Sequence, residues 1–141
     1  MKKQIYPCLW FDGQAKEAAT FYCNLFENAK IIDDNPLVCR WEINGMIFMG
    51  LNGGPKFKFT EAVSFVVECE SQAEIDKYWN TLTSDGGEES NCGWCRDKFG
   101  LSWQIVPSIL PKLMGIPDKR EAVMNAFLKM KKFDIQTLLN C

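Results

Sequence analysis

The feature that most constrains this chain is that it repeats itself. Phe21-Tyr22-x-x-Leu25 is answered by Tyr78-Trp79-x-x-Leu82, and Gly45, just ahead of one apolar run, is answered by Gly100 ahead of another. The offsets, Phe21 to Tyr78 and Gly45 to Gly100, are 57 and 55 residues. A unit that recurs at nearly constant spacing is a duplicated piece of architecture. Two such units are expected to pair their strands and enclose a shared concave face.

Each copy reads as βαβββ. In the first, Gln4 to Phe11 is apolar and aromatic until Asp12-Gly13 stops it. Asp12 is the expected N-cap of a helix running to about Phe26, whose Ala18, Phe21, Tyr22, Leu25 and Phe26 fall at the spacing of a buried stripe. Asn28 is the expected stop. Strand-like runs follow at Lys30 to Asp33, Leu37 to Ile43 and Met46 to Leu51, the last two joined by the hairpin signal Asn44-Gly45. Asn52-Gly53-Gly54-Pro55 ends the copy.

The second copy opens with Ala62 to Cys69, where Val63, Phe65, Val67 and Cys69 alternate with Ser64, Val66 and Glu68. Ser71 with Glu74 is a capping-box signature, and Ile75, Tyr78, Trp79 and Leu82 supply the next stripe. Short strands are expected at Glu88 to Ser90, Gly93 to Asp97 and Leu101 to Val106, with Asp97-Lys98-Phe99-Gly100 as the turn between the last two. After Pro107 the pattern turns helical. Pro117-Asp118 starts a segment with Val123, Met124, Phe127, Leu128 and Met130 on one face and Lys129, Lys131 and Lys132 near its end, and a further short helix is expected from Ile135 to Leu139. The fold class is α+β in one domain: a first module over about 1–55, a second over about 56–107 and a helical tail over about 108–141.

Composition narrows the chemistry. The 141 residues hold 16 basic and 18 acidic side chains and no histidine. Without imidazole there is no Ser-His-Asp or Cys-His pair and no HExxH zinc site. A net charge of −2 gives no electrostatic reason to bind nucleic acid, and no apolar run approaches the roughly 18–20 residues of a membrane span. No membrane partner and a cytoplasmic location are expected, because the N-terminal MKKQIYPC has no apolar signal stretch. The seven cysteines are expected to be reduced and mostly buried. Cys92-Gly93-Trp94-Cys95 is not expected to act as a redox pair, since it leads into a strand rather than opening a helix, and no second CxxC completes a zinc tetrad.

The segments LWFDGQAKEAATFYCNLF, INGMIFMGLNGGPKFKFTEAVSFVVECESQAEIDKYWNTL and CGWCRDKFGLSWQIVP closely resemble the PhnB-like family often labelled 3-demethylubiquinone-9 3-methyltransferase. That family belongs to the vicinal oxygen chelate superfamily of glyoxalases, bleomycin-resistance proteins and extradiol dioxygenases. The resemblance covers almost the whole chain. It implies paired βαβββ modules in a curved mixed sheet with C-terminal helices, and a homodimer. Its metal-dependent relatives hold a divalent ion with His, Glu or Gln from the first and last strands of each module. Here Gly100-Leu101-Ser102-Trp103-Gln104 resembles the last-strand pattern and places Gln104 where a ligating Glu often sits. By the internal repeat Met49 is its counterpart; Cys8 takes a position that can carry histidine, and Ala62 or Ser64 takes the corresponding face of the fifth strand.

A set of Cys8, Met49, Ser64 and Gln104 is a poor nest for a hard divalent cation, so neither metal nor cofactor is expected. A methyl-donor site of the usual kind is not expected either, because Asp12-Gly13-Gln14 and Asn52-Gly53-Gly54 do not make a dinucleotide-type glycine loop. Trp10, Trp94 and Trp103, with Phe48 and Tyr6, lie on or near the strands of the expected cavity or fill core. Alternation puts Cys8 with Trp10 and Ser102 with Gln104, and turns Trp103 toward the helices. The expected ligand-binding set is Cys8, Trp10, Met49, Ser64, Trp94 and Gln104. Two function classes remain: a small-molecule-binding protein for an apolar or aromatic ligand, and an enzyme on a small oxygenated substrate with Cys8 as its reactive candidate.

Overall fold

The computed structural model describes residues 2–141 and divides the chain into two units, the first ending at Phe59 and the second running from Thr60 to Cys141. In the first unit β1 (Cys8–Phe11), α1 (Ala15–Leu25), β2 (Ala29–Asp34), β3 (Val38–Ile43) and β4 (Met46–Asn52) form a four-stranded sheet in the order β1-β4-β3-β2. β1 runs parallel to β4, and the other neighbours are antiparallel. The second unit repeats this plan with β5 (Ser64–Cys69), α2 (Gln72–Leu82), β6 (Glu88–Glu89), β7 (Trp94–Arg96) and β8 (Ser102–Pro107), in the order β5-β8-β7-β6. Both copies are thus βαβββ, as the repeat predicts.

Alternation sorts each strand into two faces. In the first unit Leu9, Phe11, Cys39, Trp41, Phe48 and Gly50 are buried on the side of α1, whose Ala15, Ala18, Ala19, Tyr22 and Leu25 are buried in turn. Phe21 and Phe26, expected in that stripe, are only half-buried. Close approach of helix to sheet explains Gly50: a Cβ there would lie 2.9 Å from the Ala15 Cβ and 3.1 Å from the Trp41 ring. Phe48 stacks on Trp41, with ring centroids 5.7 Å apart, so it belongs to this core and not to the opposite face. Nor is Asp12 the cap of α1. The helix begins at Ala15, whose N–H donates to the Asn52 side-chain oxygen at 2.9 Å, so the cap is lent by the end of β4.

In the second unit Cys69, Ile75, Trp79, Leu82, Cys95, Trp103 and Ile105 are buried between α2 and the sheet, and Tyr78 is half-buried. Ser71 caps α2 by accepting from the Glu74 N–H at 3.2 Å, but the Glu74 carboxylate accepts from the Glu70 N–H and not from that of Ser71. The β7–β8 turn is held by Asp97, which is 1% exposed. Its carboxylate accepts from the N–H groups of Phe99 (2.9 Å) and Leu101 (3.0 Å) and from the Trp103 indole (2.8 Å). Three helices follow: α3 (Leu110–Met114), α4 (Pro117–Phe127) and α5 (Ile135–Leu139), the last as predicted. α4 ends before the lysines expected in its last turn, and of its apolar face only Val123 is buried. The chain beyond it is tied to the second unit instead: Cys92 and Gly93 donate to the carbonyls of Met130 and Lys131, and Gln72 bonds both Phe133 and Ile135. No helix among the described residues is long and apolar enough to cross a membrane.

Two outcomes follow from this packing. Asp97→Ala strips three buried or half-buried donors of their acceptor and should cost about 3 kcal/mol or more in urea unfolding, with the near-ultraviolet signal of Trp103 altered. Burial pushes the thiols of Cys69 and Cys95 up to about 12, from 9.0 in an unfolded chain. The folded state holds these protons more tightly, so their contribution is fully present below about pH 9 and is lost as pH rises from 9 toward 12. Urea midpoints should therefore be flat through neutrality and fall above pH 9, and less steeply in a Cys69→Ala/Cys95→Ala variant; equal slopes for the two proteins would contradict the assignment.

Candidate functional site

With a helix on one face of each sheet, the side chains that alternate away from it lie on the opposite face. In the first unit this face carries Cys8 and Trp10 on β1, directly opposite Met49 and Leu51 on β4. Met49 is next opposite Arg40 on β3, and Arg40 is opposite Asp33 on β2. One row across the sheet therefore reads Cys8, Met49, Arg40, Asp33. Arg40 donates to both carboxylate oxygens of Asp33, which holds the Asp33 carboxyl below its ordinary range and, with Tyr6 beside it, raises the pKa of Arg40. Cys8 is exposed, and its partial burial raises its thiol pKa. It is a thiol, not a thiolate, at neutral pH, and hence a weak nucleophile.

Trp10 is fixed from two sides. Its indole N–H donates to the Gly54 carbonyl at 2.8 Å, and Phe57 meets it edge to face at 4.8 Å between centroids. Gly53 is required by this packing, since a Cβ there would lie 2.3 Å from the indole ring. The glycine cluster after β4 thus serves as the seat of Trp10 and opens no helix.

In the second unit the corresponding face carries Ser64 and Val66 on β5, Ser102 and Gln104 on β8, and Trp94 and Arg96 on β7. The residue directly opposite Gln104 is Val66 on one side and Trp94 on the other. Ser64 is opposite Ser102 and is reached diagonally, by the Gln104 amide N–H at 2.9 Å. Ala62, the alternative to Ser64, lies in a turn before β5. Trp103 points to the helix side, as alternation predicts, and is bonded to Asp97. A pocket of about 110 Å³ opens near β7, lined by Glu61, Glu88, Glu89, Trp94, Arg96 and Ser102 among others.

The six expected ligand-binding residues thus fall into two groups of three, each on one face: Cys8, Trp10 and Met49 in the first unit, Ser64, Trp94 and Gln104 in the second. Sequence reasoning missed Arg40 and Asp33, although Arg40 alternates with Cys39 and Trp41 and so must face away from them. It also missed Arg96 and Glu88, because β6 has only two residues and leaves no periodicity to read.

A divalent metal does not fit these residues. The first face offers a thiol and a thioether beside a guanidinium, which repels a cation; the second offers a hydroxyl and an amide already bonded to each other. Among the described residues no three Cys, Asp or Glu side chains group as metal ligands. Hard cations take carboxylates and imidazoles, and soft ones take several thiolates. The Cys92/Cys95 pair is not built for redox exchange. Cys92 sits at φ 57°, half-buried in a turn, while Cys95 is 2% exposed on the helix side, and neither opens a helix.

Comparison with known proteins agrees with this architecture. Residues 3–106 match the family model described as 3-demethylubiquinone-9 3-methyltransferase. The PhnB protein from Bacillus cereus is 29% identical, with a TM-score of 0.68 over 75% of this chain and 100% of that one. The genomically encoded fosfomycin resistance protein FosX from Listeria monocytogenes, in complex with Mn(II) and sulfate, is 14% identical with a TM-score of 0.61, over 82% of this chain and 97% of its own. A glyoxalase-related enzyme from Fulvimarina pelagi is 14% identical with a TM-score of 0.56, over 76% and 89%. At that identity the last two speak for the fold alone. No curated protein matches the chain. Duplicated βαβββ units, a family match over most of the sequence and the likeness to the PhnB protein lead to one statement: the chain belongs to the PhnB-like, 3-demethylubiquinone-9 3-methyltransferase family.

Proposed function

We propose that this protein binds a small apolar or aromatic molecule on the helix-free faces of its sheets, without the divalent metal that enzymes of its superfamily use, and that it works as a homodimer. The observation that carries the reading is the make-up of those faces: Trp10, Met49 and Leu51 in one unit and Trp94 and Val66 in the other supply apolar surface, while the positions of metal ligands hold a thiol, a thioether, a hydroxyl and an amide. Aromatic walls with a few polar groups suit a flat or amphipathic ligand. Exposed apolar side chains, among them Leu37, Met46, Val63 and Val66, favour a second copy as cover.

Methyl transfer, the activity in the family's description, has little support in the residues. The usual S-adenosylmethionine site needs a doubly wound parallel sheet with a glycine loop opening a helix. Each sheet here has one parallel pair, and Gly53-Gly54 seats Trp10. Catalysis by Cys8 is disfavoured by its raised thiol pKa.

Metal analysis, a thermal-shift screen with divalent ions and titration of a fluorescent naphthalene probe test the proposal together. No stoichiometric metal is expected, no ion should raise the melting temperature by several degrees, and S-adenosylmethionine should give no heat in calorimetry. The probe should bind, Trp94→Leu should weaken it about tenfold, and Cys8→Ala should leave it unchanged. Stoichiometric metal, or loss of binding in Cys8→Ala, would overturn the reading. Light scattering on a sizing column should return twice the chain mass of 16.2 kDa.

A further inference from the structure

The helix-free face of the second unit holds an amide and a hydroxyl that orient one another. The Gln104 side-chain N–H on β8 donates to the Ser64 hydroxyl oxygen on β5 at 2.9 Å, and neither side chain makes another hydrogen bond among the described residues. That bond turns the nitrogen end of the amide toward β5. The Gln104 carbonyl oxygen, an acceptor, and the Ser64 hydroxyl hydrogen, a donor, stay open. Both residues are half-buried, so water reaches these groups and an incoming ligand can replace it. Directly opposite Gln104 on β7 stands Trp94, also half-buried, an aromatic neighbour across the strand pair. In the first unit the counterpart of Gln104 is Met49, a thioether with no hydrogen to donate, so the two faces are not equivalent.

These groups sort the candidate occupants of the face. An anion meets the Gln104 carbonyl oxygen, and the one cation on these three strands, Arg96, is already engaged by Glu88 at 2.6 Å. A cation gains one neutral carbonyl; Glu68 lies beyond Val66 and is exposed, where a charge attracts little, and Glu88 and Glu89 are bonded to Arg96 and to the Trp79 indole. A purely apolar group strips water from the amide and the hydroxyl and gives nothing back. A neutral group that carries a donor and an acceptor side by side satisfies both. A carboxamide or lactam does so, its N–H donating to the Gln104 carbonyl oxygen and its carbonyl accepting the Ser64 O–H, and its planarity suits an indole wall. Because the Ser64 bond already orients the Gln104 amide, little ordering is left to be done on binding. We propose that Ser64 and Gln104 form a subsite for a carboxamide or lactam borne on an aromatic ring that packs against Trp94, a proposal that rests on the ligand-binding reading above and names the ligand's polar end.

The experiment titrates 2-naphthamide, N,N-dimethyl-2-naphthamide and sodium 2-naphthoate into 15N-labelled protein. It follows the Trp94 indole and Gln104 side-chain amide resonances, assigned through Trp94→Phe and Gln104→Leu. 2-Naphthamide should bind about tenfold more tightly than the dimethyl amide, which keeps the carbonyl but has no N–H, and about tenfold more tightly than the naphthoate. Gln104→Leu should abolish the preference between the two amides while changing the affinity of the dimethyl amide less than about twofold, and Ser64→Ala should weaken 2-naphthamide about threefold. Equal binding of the two amides to the unaltered protein, a comparison that needs no variant, would overturn the subsite, as would a preference that survives in Gln104→Leu. No response of either resonance to 2-naphthamide would overturn it too, and titration of the naphthalene probe on the same sample decides separately whether the ligand-binding reading falls with it.

Discussion

Everything in this molecule depends on a single helix covering a single face of each four-stranded sheet. Strand alternation then forces a division of labour. What points toward α1 or α2 becomes core, and what points away is free of packing duty against that helix. Leu9 and Phe11 are core while Cys8 and Trp10, their immediate neighbours, are not; Trp103 is core while Gln104 is not. A shift of register by one residue would exchange the two sets, so the buried face also fixes which residues the open face can offer.

That division explains why one face of each sheet is tightly constrained while the other is not. The helix side keeps aromatic and small residues matched to each other, down to Gly50, which clears room for Ala15 and Trp41. The open side carries no such constraint from the core. Cys8 and Met49 in the first unit, and Ser64 and Gln104 in the second, offer a hard cation neither carboxylate nor imidazole, and Arg40 beside Met49 puts a positive charge in the first row.

Much of the fold was legible in the sequence because the duplication repeats strong local signals. The hairpin at Asn44-Gly45, the capping serine of α2 and the helix Ile135–Leu139 come from short-range chemistry, and each is in place. Where the reading failed, the partner was remote. α1 is capped by Asn52, 37 residues from Ala15, which no local pattern around Asp12 could reveal. α4 stops at Phe127 because the following residues bond to the Cys92-Gly93 turn, far back in the chain. Phe48 alternates correctly, but only its stack on Trp41 identifies it as core.

The candidate site divides in the same way. The sequence by itself determined which residue types stand on the strands, the lack of histidine and the phase that groups Cys8 with Trp10 and Ser102 with Gln104, because side-chain direction in a strand follows from a period of two. Only the tertiary structure decided the cross-strand neighbours: Val66 and Trp94 flanking Gln104, Arg40 between Met49 and Asp33, and Arg96, Ser102 and the glutamates gathered around a pocket. Those neighbours are set by strand order and register, which arise from packing one whole face against a helix, and no single segment carries that information.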